Sequence, residues 1–453
     1  RLGRALDEIH AYGCELLFSE IASHVSQKMG INEQFTSIDT TSFSVSGAYD
    51  SDTDEQEITL TYGYSKDSRP DCKQAVLELV TSQDGGIPLM MKCFDGNASD
   101  TTIFKARCKQ LLEAFQKSES PRYVVGDSKL YHQDNAVHLA KIPFITRIPR
   151  TYKEEKHAIE AAIAADAWIS LDEDNQYYVY SLTHLNIRQR WIVVHSKSAA
   201  NRSEKTLHKQ IEKEFKEAQG ALVHLRNREF RCAHDAQKEL EKASAQLKYH
   251  QLILEQVRAC PRYDRVGRPR KTEASSTTVY QVEATIASLF LVRQETLLRH
   301  ACYIIGTNAQ ASDLSPEGVI EAYKNQNASV ERGFRFLKDP QFFASSFFLK
   351  KPARIMALLM IMTLSLLVYS IAQKHLRQQL LEKDETLPNQ INQPIKNPTM
   401  RWIFQCLEGI DVVYFKVNDH IIKKMTGMTP LSEKIIAFFF KPVREIYETN
   451  ETG

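Results

Sequence analysis

The sequence predicts an α/β fold whose sheet has one antiparallel side, and three observations point to it. The apolar pattern has a helical period over residues 1–30 and switches to strand-like alternation from residue 35 onward. Several strand-like runs then follow one another with only polar, turn-rich stretches between them. After residue 99 the order becomes helix, strand, helix, strand.

Residues 1–30 read as a helix, because Leu2, Leu6, Ile9, Leu16, Leu17 and Ile21 recur at helical spacing. Strands are expected at 35–45, 57–64, 75–80 and 87–94. Asp50-Ser51-Asp52 and Gln83-Asp84-Gly85-Gly86 supply turns between them. Ser99-Asp100 caps a helix to about Lys117, with Ile103, Phe104, Cys108, Leu111, Leu112 and Phe115 inward. Residues 123–125 form a short buried strand that ends at Gly126-Asp127, followed by a helix at 133–139 and a strand at 143–148.

Residues 151–310 read as a separate inserted body. A hairpin is expected from 177–182 and 189–195. Residues 197–254, rich in Lys, Glu, Arg, Gln and Leu, predict two long charged helices broken near Gly220. Those charges read as solvated faces. Strand-like runs return at 278–287 and 301–307. A further helix begins where Ser315 caps and Pro316 takes the first helical position. It carries Val319, Ile320, Tyr323, Val330, Phe334 and Leu337, with an interruption near 325–327. The expected organisation is a helical segment 1–34, the first part of a core 35–150, an insertion 151–310, a glutamate-bearing helix 311–350 and a C-terminal helical region 351–453.

Composition excludes more than it selects. The 58 basic and 56 acidic residues nearly cancel, so net charge names no partner. Eight cysteines without CxxC spacing argue against a disulfide framework or zinc site and for reduced thiols in the cytoplasm. No signal peptide is read, and the first residue, Arg1, suggests a missing upstream region that would bind DNA. The run 355–372 holds 18 uncharged residues, the lower limit for a membrane span. A helix at the centre of a large domain has the same composition, and that reading is preferred, with no membrane partner.

Three acids carry the chemistry. Asp39 sits within the strand Ile38-Asp39-Thr40-Thr41, Asp127 closes the strand Val124-Val125-Gly126, and Glu331 lies on the later helix, with Arg335 and Lys338 near its face. A carboxylate on a buried strand is costly unless paired or bound to metal. Oxygen-only ligands suit Mg²⁺ or Mn²⁺. Lys66, Arg69 and Lys73 fall on a turn next to a core strand, placed to meet phosphates. Gly267-Arg268-Pro269-Arg270-Lys271 is a basic loop suited to DNA, with Arg268 and Arg270 its contacts.

The segments FTSIDTTSFSVSGAYD (35–50), YGYSKDSRPDCKQ (62–74), GNASD (96–100), YVVGDSKLY (123–131), VERGFRFLKDP (330–340) and NPTMRWIF (397–404) occur in the order found in one family. By them the chain resembles the insertion-sequence DDE transposases, in the group with a long insertion before the catalytic Glu and a Tyr-Arg-Glu-Lys signature. The resemblance implies a ribonuclease-H-like core and Asp39, Asp127 and Glu331 as catalytic metal ligands for two Mg²⁺ ions, with Mn²⁺ able to substitute. The intervals, 127 − 39 = 88 and 331 − 127 = 204, leave room for the insertion. It further implies cleavage at transposon ends and strand transfer into target DNA. The partners implied are double-stranded DNA, as terminal inverted repeats and target, and a second copy in the DNA complex, in a prokaryotic, nucleoid-associated setting. A decayed relative that binds DNA without cutting is the alternative.

Lys338 matches the signature lysine, and Tyr323 is the best match to its tyrosine. Tyr323 precedes Glu331 by eight residues where the pattern has seven, and Gln326 stands where arginine is expected. Arg332 or Arg335 would then supply the charge toward phosphate. Tyr303 is the nearest match to an aromatic that stacks on an extruded base.

Overall fold

The computed structural model describes residues 1–47, 49, 57–66, 68–99, 103, 104, 107, 111, 122–262, 277–340, 349–417 and 420–448. The chain divides into two compact units, one of residues 1–146, 183–188 and 307–453, the other of residues 147–182 and 189–306.

In the first unit, β1 (Phe35–Val45), β2 (Lys73–Ser82) and β3 (Pro88–Phe94) form an antiparallel meander. β4 (Tyr123–Gly126) pairs parallel to β1, and β5 (Phe144–Arg147) parallel to β4. The order β3-β2-β1-β4-β5, with β2 alone reversed, is the ribonuclease-H-like arrangement. β2 is buried at nine of its ten positions, as a strand covered on both faces must be.

The expected strand at 57–64 is not one. Only Thr61 bridges, to Gln74, and the Gln74 side-chain amide donates to Tyr64 O (3.2 Å) and Gly96 O (2.7 Å). A side chain therefore satisfies backbone groups that a neighbouring strand would otherwise take up. The expected helix 1–30 is two, α1 (Leu2–Tyr12) and α2 (Cys14–Met29), because Gly13 between them takes φ 106°. Of the expected helix after Ser99, only Ile103, Phe104, Arg107 and Leu111 belong to the described residues, and all four are helical.

The apolar run 355–372 lies in the helix Pro352–Glu382, which is long and apolar enough to cross a membrane. Here Ile355, Leu359, Met362 and Leu366 pack with Phe18 and Ala22 of α2 and with Phe43, Leu77, Leu79 and Met91 of the sheet. Its later residues Leu376 and Leu380 join Leu387, Met400, Ile403 and Ile435 in a second cluster. The C-terminal region is not wholly helical: Asp411–Val417 pairs with His420–Thr426 as a hairpin.

Chiefly in the second unit, β6 (Ile169–Ser170), β7 (Asn175–His184), β8 (Ile187–Ser196) and β11 (Cys302–Thr307) follow the order β11-β8-β7-β6. β9 (His250–Arg262) and β10 (Thr277–Ser288) form a long hairpin. The helix Lys197–Asn227 runs straight through Gly220, and the chain breaks only before the helix Ala233–Ala245. An exposed glycine in a helix interior costs about 1 kcal/mol, too little to end so long a helix. Residues 250–254, expected to be helical, are strand, because Leu252 packs with Val282 of β10 against Leu222, Leu225 and Leu240. The helix Phe290–Ala301 lies where the sequence reading placed none.

Candidate active site

Asp39 and Asp127 are brought together by the backbone ladder. β1 and β4 pair in register as Phe35↔Tyr123, Thr36↔Val124 and Ser37↔Val125, a constant offset of 123 − 35 = 88 residues. The offset between the acids is the same, so continuing the ladder two residues sets Asp39 level with Asp127. Neighbouring strands lie about 4.8 Å apart. Both acids line one small pocket with Ile38, Thr40, Ile103, Phe104, Gly126, Lys129 and Leu130. The pocket opens at the carboxyl end of β4, where ligands of α/β sheets commonly bind.

Each aspartate is held locally. Asp127 Oδ1 accepts from the backbone N–H of Lys129 at 3.0 Å, and its carbonyl accepts from the Thr146 hydroxyl at 2.7 Å. Asp39 Oδ1 accepts from the Thr40 N–H at 2.7 Å, and its side chain is 25% exposed. Lys66 Nζ lies 3.6 Å from Asp39 Oδ1 and donates to the carbonyl and hydroxyl oxygens of Thr40. Lys66 thus serves the first acid as a counter-ion.

Glu331 arrives differently. The helix Pro316–Gln326 widens into a single π turn, Asn327–Glu331, before the helix Arg332–Leu337. The interruption expected at 325–327 overlaps this turn only at Asn327, since 325 and 326 are still α-helical. Two contacts dock the segment on β1: Ser329 Oγ is 3.0 Å from Ser37 Oγ, and Lys338 Nζ is 5.5 Å from the centre of the Phe43 ring. Ser37, Asp39 and Phe43 share one face of β1 because alternate residues point the same way. Glu331 therefore lies on the segment that runs along Asp39's face. Its carboxylate is 45% exposed and 3.6 Å from Arg335. Among the described residues, no three His, Cys, Asp or Glu side chains gather closely enough to hold a metal ion. The two aspartates converge, and the glutamate does not close onto them. The donors themselves, carboxylate oxygens only, suit a hard divalent cation.

The other expected contacts are scattered. Arg69 is bound to Asp71 at 2.9 Å and holds that exposed carboxyl down to about 2. Lys73 Nζ donates to the Tyr49 carbonyl at 3.3 Å. Arg332 and Arg335 are exposed, and Tyr323 is half-buried. In the second unit, Tyr303 carries the Arg147 guanidinium over its ring at 5.4 Å. Arg268 and Arg270 lie outside the described residues. Sequence reasoning missed Ser37, Gln83 and Ser329, of which Ser37 and Ser329 each stand two residues before an acid. It also missed the pair of Arg401 with Asp339 (2.7 Å), which ties the 397–404 segment to the end of the glutamate helix.

Residues 32–368 match the family model described as "Transposase DDE domain". That span is 368 − 32 + 1 = 337 of 453 residues, and the chain belongs to this family. A search of curated proteins finds no match. Among solved structures the chain is similar to a piggyBac transposase in a cryo-EM synaptic complex with hairpin DNA, at 10% identity and a TM-score of 0.35. The match covers 93% of this chain and 59% of that one, so this chain spans about three-fifths of that protein's length.

Proposed function

We propose that this chain cleaves DNA at transposon ends and transfers the freed 3′ ends into target DNA, using Asp39, Asp127 and Glu331 as its acids. The observation that carries the reading is the ladder that sets Asp39 level with Asp127 at the carboxyl end of β4. In a protein of the DDE family, such a pair is where two Mg²⁺ ions, or Mn²⁺, would be held, Glu331 supplying the third carboxylate. When bound, such ions neutralise charge and act as Lewis acids for in-line displacement at phosphorus.

The chain's own contribution is placement. The β1–β4 ladder fixes two carboxylates, and the Thr40 and Lys129 N–H groups orient their oxygens. Lys66 offsets the charge of Asp39 and would meet a phosphate held beside it. Arg332, Arg335, Lys338, Tyr323, Arg69 and Lys73 would hold the DNA backbone, Arg268 and Arg270 would reach DNA from the insertion, and Tyr303 would stack on a base. In the first step water displaces the 3′ oxygen of the transposon end, leaving a 3′-hydroxyl and a 5′-phosphate. In the second that hydroxyl attacks a target phosphodiester, one P–O bond forming as another breaks. Residues 151–310 are assigned as the insertion that separates the second acid from the third, and two copies act on two ends.

The test is to incubate the protein with end-containing duplex and Mg²⁺. Nicking at the end, lost in Asp39→Ala, Asp127→Ala and Glu331→Ala while DNA affinity persists, is the expected result. Cleavage at near-normal rate in any one variant removes that residue from the site.

A further inference from the structure

The turn between β2 and β3 reads in sequence as a polar turn, yet it makes specific contacts to the glutamate segment. Asp84 accepts from the Asn32 N–H at 2.9 Å and pairs with Lys374, which anchors the turn from below. Above it, Gln83 Nε2 donates to Ser37 Oγ (3.0 Å) and to the Ala322 carbonyl (2.8 Å). Ser37 Oγ in turn lies 3.0 Å from Ser329 Oγ, which also donates to the Gln326 carbonyl at 2.9 Å. Gly86 takes φ 69°, and a Cβ there would stand 3.2 Å from the Ser329 carbonyl oxygen, so turn and π turn meet backbone to backbone. Ser37 is fully buried and Ser329 nearly so, which makes each of these bonds costly to lose.

The π turn also changes which residues share a face. An α-helix advances about 100° per residue, so eight residues from Tyr323 to Glu331 would leave them about 80° apart. A π turn has about 4.4 residues per turn, or about 82° each, and five such steps after three ordinary ones fall about 10° short of two full turns. Lys338, seven α-helical steps beyond Glu331, falls about 20° short of two more. By this arithmetic the π turn would bring Tyr323, Glu331 and Lys338 into one line, and an unbroken α-helix would turn Tyr323 away.

We propose that the π turn Asn327–Glu331 absorbs one surplus residue and, latched to β1 through Gln83, Ser37 and Ser329, sets the direction in which Glu331 is presented to Asp39. Gln83, Ser37 and Ser329 are then positioning residues for the third acid. This rests on the assignment of Glu331 to the site, so the test has one arm that reads geometry alone.

In that arm, Ser37→Cys with Ser329→Cys is made in the full chain, and the 37–329 cross-link is sought by mass spectrometry after air oxidation. It should form, and form equally when Asn327 is deleted. A folded chain that does not cross-link overturns the latch, whether or not the protein cuts DNA. In the second arm, Mn²⁺-dependent end cleavage is titrated. Deleting Asn327 returns the helix to seven α-helical steps, again about 20° short of two turns, so cleavage should stay within about threefold of wild type. Gln83→Ala and Ser329→Ala should each raise the Mn²⁺ needed for half-maximal cleavage about tenfold, the usual cost of losing a residue that orients a ligand. DNA affinity should not change, and Ser329→Thr should restore the titration. A folded deletion variant as inactive as Glu331→Ala, or latch variants that titrate like wild type, contradicts the proposal. Absence of cleavage by the wild-type chain counts against the function assigned above, and the cross-link still decides the latch.

Discussion

Asp39 and Asp127 are placed by backbone, Glu331 by side chains. The first pair owes its position to a parallel ladder whose register, 88 residues, is repeated at every rung. Glu331 rides a helical segment held by two hydroxyls, one amide and a lysine over a ring. A ladder cannot slip by one residue without turning a whole strand inside out. A helix shifts its facing side whenever one residue is gained or lost. The strand half of the site is accordingly stiff in design, and the helix half is adjustable.

Breaking the strand half should have the largest effect. Asp39→Asn or Asp127→Asn removes a charge worth several kcal/mol at the transition state, about a thousandfold in rate, with little change in DNA binding. Single-turnover cleavage at saturating DNA checks this. Breaking the floor beneath the helix half comes next. Leu366 is 2% exposed, and its Cδ2 would lie 3.0 Å from a Cβ added at Gly333 of the glutamate helix. Leu366→Asp should cost about 3–5 kcal/mol, seen as loss of the cooperative thermal transition, because an unpaired carboxylate is buried.

A milder change sharpens the contrast. Thr146→Val removes the hydroxyl that holds the Asp127 carbonyl and should lower stability by about 1–3 kcal/mol in denaturant titration. The smallest effect belongs to the helix half. Lys338→Met should weaken binding to cognate and unrelated DNA alike and lower the salt slope by about one unit. An unchanged slope with unchanged affinity leaves Lys338 with a structural role only.

The core under both halves gives a check through pH. Burial pushes the Cys14 thiol up to about 11 and Cys93 higher still, whereas Cys72 is partly exposed. A raised value keeps the thiol protonated, so at pH 8 Cys14 and Cys93 should resist alkylation while Cys72 reacts. Raising the pH toward 11 should bring Cys14 into reaction ahead of Cys93. Labelling followed by mass spectrometry reads the order.

The two halves also differ in how far they could be read from sequence. The strand aspartates were legible, because alternation marks a strand and Gly126-Asp127 closes a short apolar run. The helix-borne glutamate was legible as a residue but not as a geometry. Its eight-residue distance from Tyr323 reads as a departure from pattern, and nothing in the local sequence announces the π turn at Asn327–Glu331. Gln83-Asp84-Gly85-Gly86 carried every sign of a solvent turn, and nothing local announces that Gln83 reaches Ser37 and Ala322. Gly220 misled in the opposite sense, since a propensity cost of about 1 kcal/mol is readily overridden by packing. The strand at 250–254 was missed because its pairing with β10 is long-range and its own residues carry a helical spacing.

A metal site that draws its ligands from both halves can be mapped directly. Fe²⁺ placed in that site, with ascorbate and peroxide, cleaves the polypeptide next to the ion. The expected result is backbone scission near residues 39, 127 and 331 together, suppressed by excess Mg²⁺ and abolished by Asp39→Asn. Scission near 39 and 127 without 331, or scission elsewhere in the chain, contradicts it.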